Sequence, residues 1–182
     1  LQKFASVSEG HIRGLRVNPG VSTSSFDLAD PARPFSRLGE HDPVAVAQVA
    51  DQITGLMFHN NCENDDFARF DEMLTLIENR FGATIKRMDW ISLGGGIHFT
   101  GEGYPLEKLA ARLKKLSDDF GVQVYLEPGE AAITGGATLE VTVLDTMHNG
   151  KNLAIVDSSI EAHMLDLLIY REPAKVSPNA GD

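Results

Sequence analysis

Phe67, Phe70, Leu74, Ile77 and Phe81 follow one another at spacings of three and four, which stacks them on a single helix face, and Gly82 then suits the C-terminal cap. Leu106, Leu109, Leu113, Leu116 and Phe120 repeat the pattern between Pro105 and Gly121, so a second long helix is expected there. A shorter helix is expected after Asp42, whose side chain can cap a first turn that starts on Pro43, where the missing N–H costs nothing. Between these lie four apolar runs that read as strands: residues 12–17 (IRGLRV), 53–59, 88–93 (MDWISL) and 122–127 (VQVYLE). Asn18-Pro19-Gly20 stops the first of them, Gly94-Gly95-Gly96 the third and Pro128-Gly129 the fourth.

Strands that alternate with helices over short links imply right-handed βαβ units and a parallel sheet. The expected fold class is therefore α/β, with the four strands forming an arc of a (β/α)8 TIM barrel. Residues 18–42 show no periodicity. They carry Ser22, Thr23, Ser24, Ser25, Pro31 and Pro34, and an irregular stretch of that length inside a compact domain reads as a functional loop. After Glu130 the pattern changes, because residues 139–144 and 153–156 are strand-like and flank His148-Asn149-Gly150-Lys151, a hairpin signal. Residues 1–135 are thus expected to be part of the barrel. Residues 136–182 are expected to begin a β-barrel domain and to include a segment that returns to the active site. Four strands cannot close a barrel and two cannot enclose a core, so both ends of the whole protein are expected to lie beyond this sequence.

Composition and charge narrow the chemistry. The 182 residues are 42% apolar, enough for a globular domain or part of a larger one. With 26 acidic and 16 basic side chains the net charge is −10, which repels phosphate backbones, so no nucleic-acid partner is expected and a cationic small molecule would be attracted. The same acids also serve simply to keep a protein in solution. No run approaches the roughly 18 apolar residues of a membrane span, and the opening LQKFASVSEGH lacks a signal-peptide pattern. No membrane partner and a cytoplasmic location are expected. The single cysteine, Cys62, excludes an intrachain disulfide, and with His59 it offers no recognisable ligand spacing, so no metal site is expected.

In parallel α/β architectures ligands sit at the C-terminal ends of the strands, so the residues just beyond each strand are the candidates for chemistry. Gly94, Gly95 and Gly96 allow close backbone approach and suit a phosphate, although a glycine triplet is equally a tight turn or hinge. Glu127, set by Pro128-Gly129, could aim a carboxylate into the barrel mouth; alone it reads as a salt bridge to a neighbouring strand end. His59, in Phe58-His59-Asn60-Asn61-Cys62, could lay a flat ring against a planar ligand, while alone it reads as an ordinary hydrogen bonder. A phosphate cradle, a flat ring and a fixed carboxylate on neighbouring strands match the parts of pyridoxal 5'-phosphate (PLP).

On these residues the chain resembles the alanine-racemase-like barrel decarboxylases that use PLP, the group that includes ornithine, diaminopimelate and carboxynorspermidine decarboxylases, and the resemblance covers nearly all of it. The resemblance implies that the glycines of LGGGIHF hold the cofactor phosphate, together with Gly129. It implies that Glu127 of EPGEA pairs with the pyridine nitrogen and that His59 stacks on the ring, which makes these two the catalytic candidates. Arg16 in GLRVNPG matches an arginine near the cofactor's phenolic oxygen, and Cys62 falls where relatives carry a small polar residue. A carboxylate against the ring nitrogen favours decarboxylation over racemisation, because a protonated ring accepts the electrons left by departing carbon dioxide.

Ornithine and diaminopimelate decarboxylases resemble one another in carrying arginine after Glu-Pro-Gly, where this chain has Glu130. Together with the later SSIEAHMLD, that departure resembles the carboxynorspermidine branch of the family, in which Glu130 and Asp166 would bind the ammonium groups of a carboxylated polyamine. Replacing arginine with glutamate changes the local charge by about two units and turns repulsion of a polyamine into attraction. Read without the resemblance, both are surface charges. The implied reaction is PLP-dependent decarboxylation of carboxynorspermidine or carboxyspermidine in polyamine biosynthesis, in a homodimer. The alternatives are a decarboxylase for diaminopimelate, ornithine or lysine, or a non-catalytic PLP carrier protein. The Schiff-base lysine and the trans-acting cysteine of the family are expected outside this sequence.

Overall fold

The computed structural model describes residue 3 and residues 6–24, 30–171 and 173–178. Ser25 and the rest of 25–29, within the stretch read as a functional loop, lie outside the described residues, as do parts of both termini. Two compact units are present, Leu1–Thr134 and Gly135–Asp182.

In the first unit β1 (Gly14–Val17), β2 (Gly55–Phe58), β3 (Trp90–Ser92) and β4 (Gln123–Tyr125) form one parallel sheet in the order β1-β2-β3-β4. The order does not reverse among the described strands, as expected for an arc of a (β/α)8 barrel, in which each new strand adds beside the last. Between the strands run α1 (Pro43–Gln48), α2 (Phe67–Ile85) and α3 (Leu106–Phe120). Asp42 caps α1 by accepting from Val44 N–H, with Pro43 in the first turn. Asp66 caps α2 by accepting from Ala68 and Arg69 N–H. Gly121 closes α3 in a left-handed conformation (φ 70°), as the sequence leads one to expect.

Gly82 departs from expectation. Helix α2 continues through it to Ile85, and the Phe120 ring of α3 lies where a side chain would go, 3.2 Å from the position of a Cβ. The glycine allows helix-to-helix approach instead of ending the helix. Arg112 of α3, with its side chain only 12% exposed, ties the same pair of helices by bonding Glu78 through both terminal nitrogens at 2.8 Å and by pairing with Asp71.

Side chains alternate across the sheet. Val17, Leu56, Phe58, Ile91 and Leu93 are buried with Phe70, Leu74, Ile77, Phe81 and Leu116 in the core between strands and helices. The other face carries the register rows Gly14–Gly55–Trp90–Gln123 and Arg16–Met57–Ser92–Tyr125. The Trp90 ring spreads over two glycines of its row, lying 2.5 Å from the position of a Cβ on Gly14 and 2.1 Å from one on Gly55. Its indole N–H reaches Thr54 Oγ1 at 3.2 Å.

The second unit pairs β5 (Val143–Asn149) with β6 (Lys151–Val156) in an antiparallel hairpin that turns at Gly150, φ 71°. The hairpin is where its turn signal put it, but β5 starts later and extends further than the 139–144 run. Two short helices follow, α5 (Ile160–His163) and α6 (Leu165–Tyr170), which periodicity did not reveal at lengths of four and six residues. No helix among the described residues is long and apolar enough to cross a membrane.

Candidate active site

Two residues beyond the Arg16–Met57–Ser92–Tyr125 row, the alternation gives the next row on the inner face, namely Asn18, His59, Gly94 and Glu127. Between β3 and β4 the ladder continues that far, since Leu93 N–H donates to Tyr125 O and Glu127 N–H to Gly94 O, both at 2.9 Å. Glycine is required in this row and just after it. A Cβ on Gly94 would lie 2.5 Å from His59 Nδ1, one on Gly95 2.4 Å from Glu127 O, and one on Gly96 2.4 Å from Asn61 O. Three sequence-derived candidates, His59, the glycine loop and Glu127, are thus in direct contact.

The contacts define what each group offers. Gly95 N–H donates to His59 Nδ1 at 3.3 Å, so that nitrogen is the acceptor and the ring proton sits on Nε2. Gly94 N–H donates to Ser92 Oγ at 3.2 Å. Two of the three loop amides are therefore engaged internally, and among the described residues Gly96 N–H is the one left for an anion. This narrows the expectation of an open cradle. The Ser92 hydroxyl donates to Glu127 Oε1 and orients the carboxylate. Glu127 itself is exposed, just beyond β4 at the end of the β1-β2-β3-β4 order.

His59 is half-buried, and its pKa lies below the ordinary value because burial strips water from the charged form and the Arg16 guanidinium repels it, with Glu127 pulling weakly the other way. Arg16 also donates from Nη2 to His59 O at 3.4 Å. The ring is accordingly neutral at physiological pH. Between an unfolded pKa of about 6.5 and the lower folded value, the unfolded chain binds a proton that the folded one does not. Stability is therefore full above that window and declines as pH falls through it. Replacing Arg16 with Met is expected to move the His59 titration upward, which the pH dependence of its ring Cε1–H resonance reads; an unmoved midpoint would remove Arg16 as a cause.

Arg16 and His59 also line a cavity of about 450 Å³ with Asp30, Arg33 and Arg37 of the irregular loop. Arg33 and Arg37 were missed in the sequence, where an aperiodic segment gives no clue to which side chains turn inward. Cys62 is half-buried beside Gly96, and burial pushes its thiol pKa up despite a hydrogen bond with Ser24, which favours the protonated thiol. Gly129 precedes a four-residue helix, α4 (Glu130–Ile133), on which Glu130 is exposed. Asp166 is in the first turn of α6 in the second unit.

A cluster unforeseen in the sequence lies next to the glycine loop. His98 Nε2 is 3.2 Å from Glu63 Oε2 and 3.1 Å from Glu130 Oε2. These three side chains are also the metal-ligand-type group found among the described residues, with candidate atoms within 4.8 Å of one another.

No family model matches the chain. A carboxynorspermidine/carboxyspermidine decarboxylase of Herminiimonas arsenicoxydans is 58% identical over 181 residues, covering 100% of this chain and 50% of that protein. The crystal structure of carboxynorspermidine decarboxylase from Campylobacter jejuni complexed with norspermidine superposes with a TM-score of 0.81 at 38% identity, over 96% of this chain and 44% of that one. Diaminopimelate decarboxylase from Helicobacter pylori, complexed with L-lysine, shares the fold with a TM-score of 0.79 at 17% identity, over 98% of this chain and 49% of that one. The chain thus spans about half the length of the relatives it matches, and its α/β unit is part of their barrel fold.

Proposed function

We infer, from 58% identity to a carboxynorspermidine/carboxyspermidine decarboxylase over half of that protein's length, that the whole protein is a PLP-dependent decarboxylase of a carboxylated polyamine. The observation that carries the reading is the contact of His59, the glycine loop and Glu127 at adjacent strand ends. The chemistry of that donor set fits the cofactor: a neutral flat ring, a carboxylate held by Ser92, the Gly96 backbone amide and a guanidinium at Arg16.

Glu127 would keep a proton on the pyridine nitrogen, with Ser92 holding the carboxylate in place. The His59 ring, neutral because of its burial and Arg16, would lie against the ring face without repelling a pyridinium. Gly96 N–H, with the glycine-lined backbone at Gly94, Gly95 and Gly129, would receive the phosphate. Arg16 would face the phenolic oxygen, and Cys62 would contribute a small protonated group near the Gly96 turn. When bound, PLP supplies an electron-accepting ring for the pair left behind as carbon dioxide departs. Glu130 and Asp166 would bind the ammonium groups of the polyamine.

The test is carbon dioxide release by full-length, PLP-loaded protein from carboxynorspermidine, carboxyspermidine, diaminopimelate, ornithine and lysine. The two carboxylated polyamines should give the highest kcat/KM. Glu130→Gln and Asp166→Asn should each raise KM for them by about ten- to a hundredfold, the worth of one charge-assisted hydrogen bond. Preference for diaminopimelate, or no release from any substrate, would overturn the reading.

A further inference from the structure

We propose that Glu63 and His98 are specificity-determining partners of Glu130, the three forming a preset clamp for one distal ammonium group of the substrate; this rests on the polyamine reading above. His98 Nε2 stands between Glu63 Oε2 and Glu130 Oε2. A single imidazole carries at most one positive charge, so at least one negative charge of the pair stays uncompensated even when it is protonated. Each carboxylate uses only Oε2 in this contact. Its Oε1 remains an acceptor, and an ammonium group supplies two or three N–H donors that two converging carboxylates can share.

The cluster does not arise from long side chains meeting by chance on a surface. Asn64 N–H donates to Gly96 O and His98 N–H to Asn64 O, both at 2.9 Å, which clamps the turn carrying Glu63 to the loop carrying His98. Asn64 is buried and bonds buried Asn61 through Nδ2 to Oδ1 at 2.9 Å. Glu63 itself takes a left-handed φ of 52°, a conformation that non-glycine residues hold only where the surrounding structure enforces it. Glu130 reaches the cluster from the other side, three residues after Glu127, whose backbone is bonded to Gly94. The clamp is therefore attached by backbone to both sides of the glycine loop.

A purely structural role is the weaker explanation. The His98 and Glu63 side chains are 35% and 39% exposed, and ion pairs at such exposure contribute about 0–1 kcal/mol to stability. A preset geometry matters more for binding, since ordered acceptors spare the ligand part of the cost of ordering them.

The test uses full-length, PLP-loaded protein and the variants Glu63→Gln, His98→Ala and His98→Gln. Three readouts are needed: steady-state kinetics on carboxynorspermidine and diaminopimelate, calorimetric binding of norspermidine, and the visible absorbance of bound cofactor. Glu63→Gln and His98→Ala should raise both KM for carboxynorspermidine and Kd for norspermidine by about tenfold, with kcat and absorbance nearly unchanged. Turnover of the shorter diaminopimelate should be unaffected. The double variant should lose little more than either single, because the groups act as one unit, and His98→Gln, which keeps an N–H donor, should recover part of the loss. Unchanged KM and Kd in Glu63→Gln, equal losses on both substrates, or activity abolished by EDTA would overturn the proposal. If His98→Ala does not fold, Glu63→Gln alone decides. Wild-type protein that neither decarboxylates carboxynorspermidine nor binds norspermidine would instead overturn the functional reading.

Discussion

Glu127→Gln is expected to leave PLP bound while slowing decarboxylation by roughly a hundred- to a thousandfold, the loss typical when one preorganised electrostatic group is removed from a reaction centre. The amide is nearly isosteric and can still accept from the Ser92 hydroxyl that now holds Glu127 Oε1. It cannot hold a proton on a ring nitrogen as a carboxylate does, because it adds no negative charge beside the cationic form. His59, Arg16 and the glycine loop are untouched by the change, so the bound cofactor's absorbance should persist. Single-turnover and steady-state measurements on the full-length variant read the effect, and unchanged turnover would remove Glu127 from this role. The same variant should shift the His59 titration slightly further down, since Glu127 is the one neighbour that raises it.

Gly96→Ala is expected to cost about 2–5 kcal/mol of stability, combining roughly 1–2 for a left-handed non-glycine residue with roughly 1–3 for overpacking. Gly96 has φ 77°, and an added Cβ would stand 2.4 Å from Asn61 O and 3.0 Å from Cys62 Cα. Both obstacles are backbone, so neither can swing aside. Because Gly96 N–H is the loop amide without a partner among the described residues, the displaced turn should also weaken PLP binding by at least about tenfold. Gly103→Ala is the matched control, as Gly103 has φ 78° and open space around it, so it isolates the conformational part of the cost. Denaturant unfolding and PLP titration of both variants read the two effects. Equal losses in the two would mean that the contact with Asn61 is immaterial.

Much of this arrangement was legible in the sequence, for identifiable reasons. Helices α2 and α3 were visible because their apolar residues repeat over four or more turns, and the strands because short apolar runs alternate with them. His59, Gly94 and Glu127 could be picked out because period-two alternation puts the residue beyond each strand on the inner face, and chemistry at strand ends follows from topology. Gly82 misled because a glycine that admits a neighbouring ring looks the same in sequence as one that ends a helix. Ser92, Arg33, Arg37, Glu63 and His98 were not legible. Their roles depend on which distant side chain arrives beside them, as Glu130 arrives beside His98 from 32 residues away, and no local spacing encodes that.

The proton on the cofactor's ring nitrogen is where the contact of Glu127, the glycine loop and His59 either has a chemical consequence or does not. The direct measurement is the nitrogen-15 chemical shift of pyridine-labelled PLP bound to the full-length protein, compared between wild type and Glu127→Gln. A protonated ring nitrogen in the wild type that becomes unprotonated in the variant is the expected result. An unprotonated nitrogen in the wild type, or the same shift in both proteins, would contradict it.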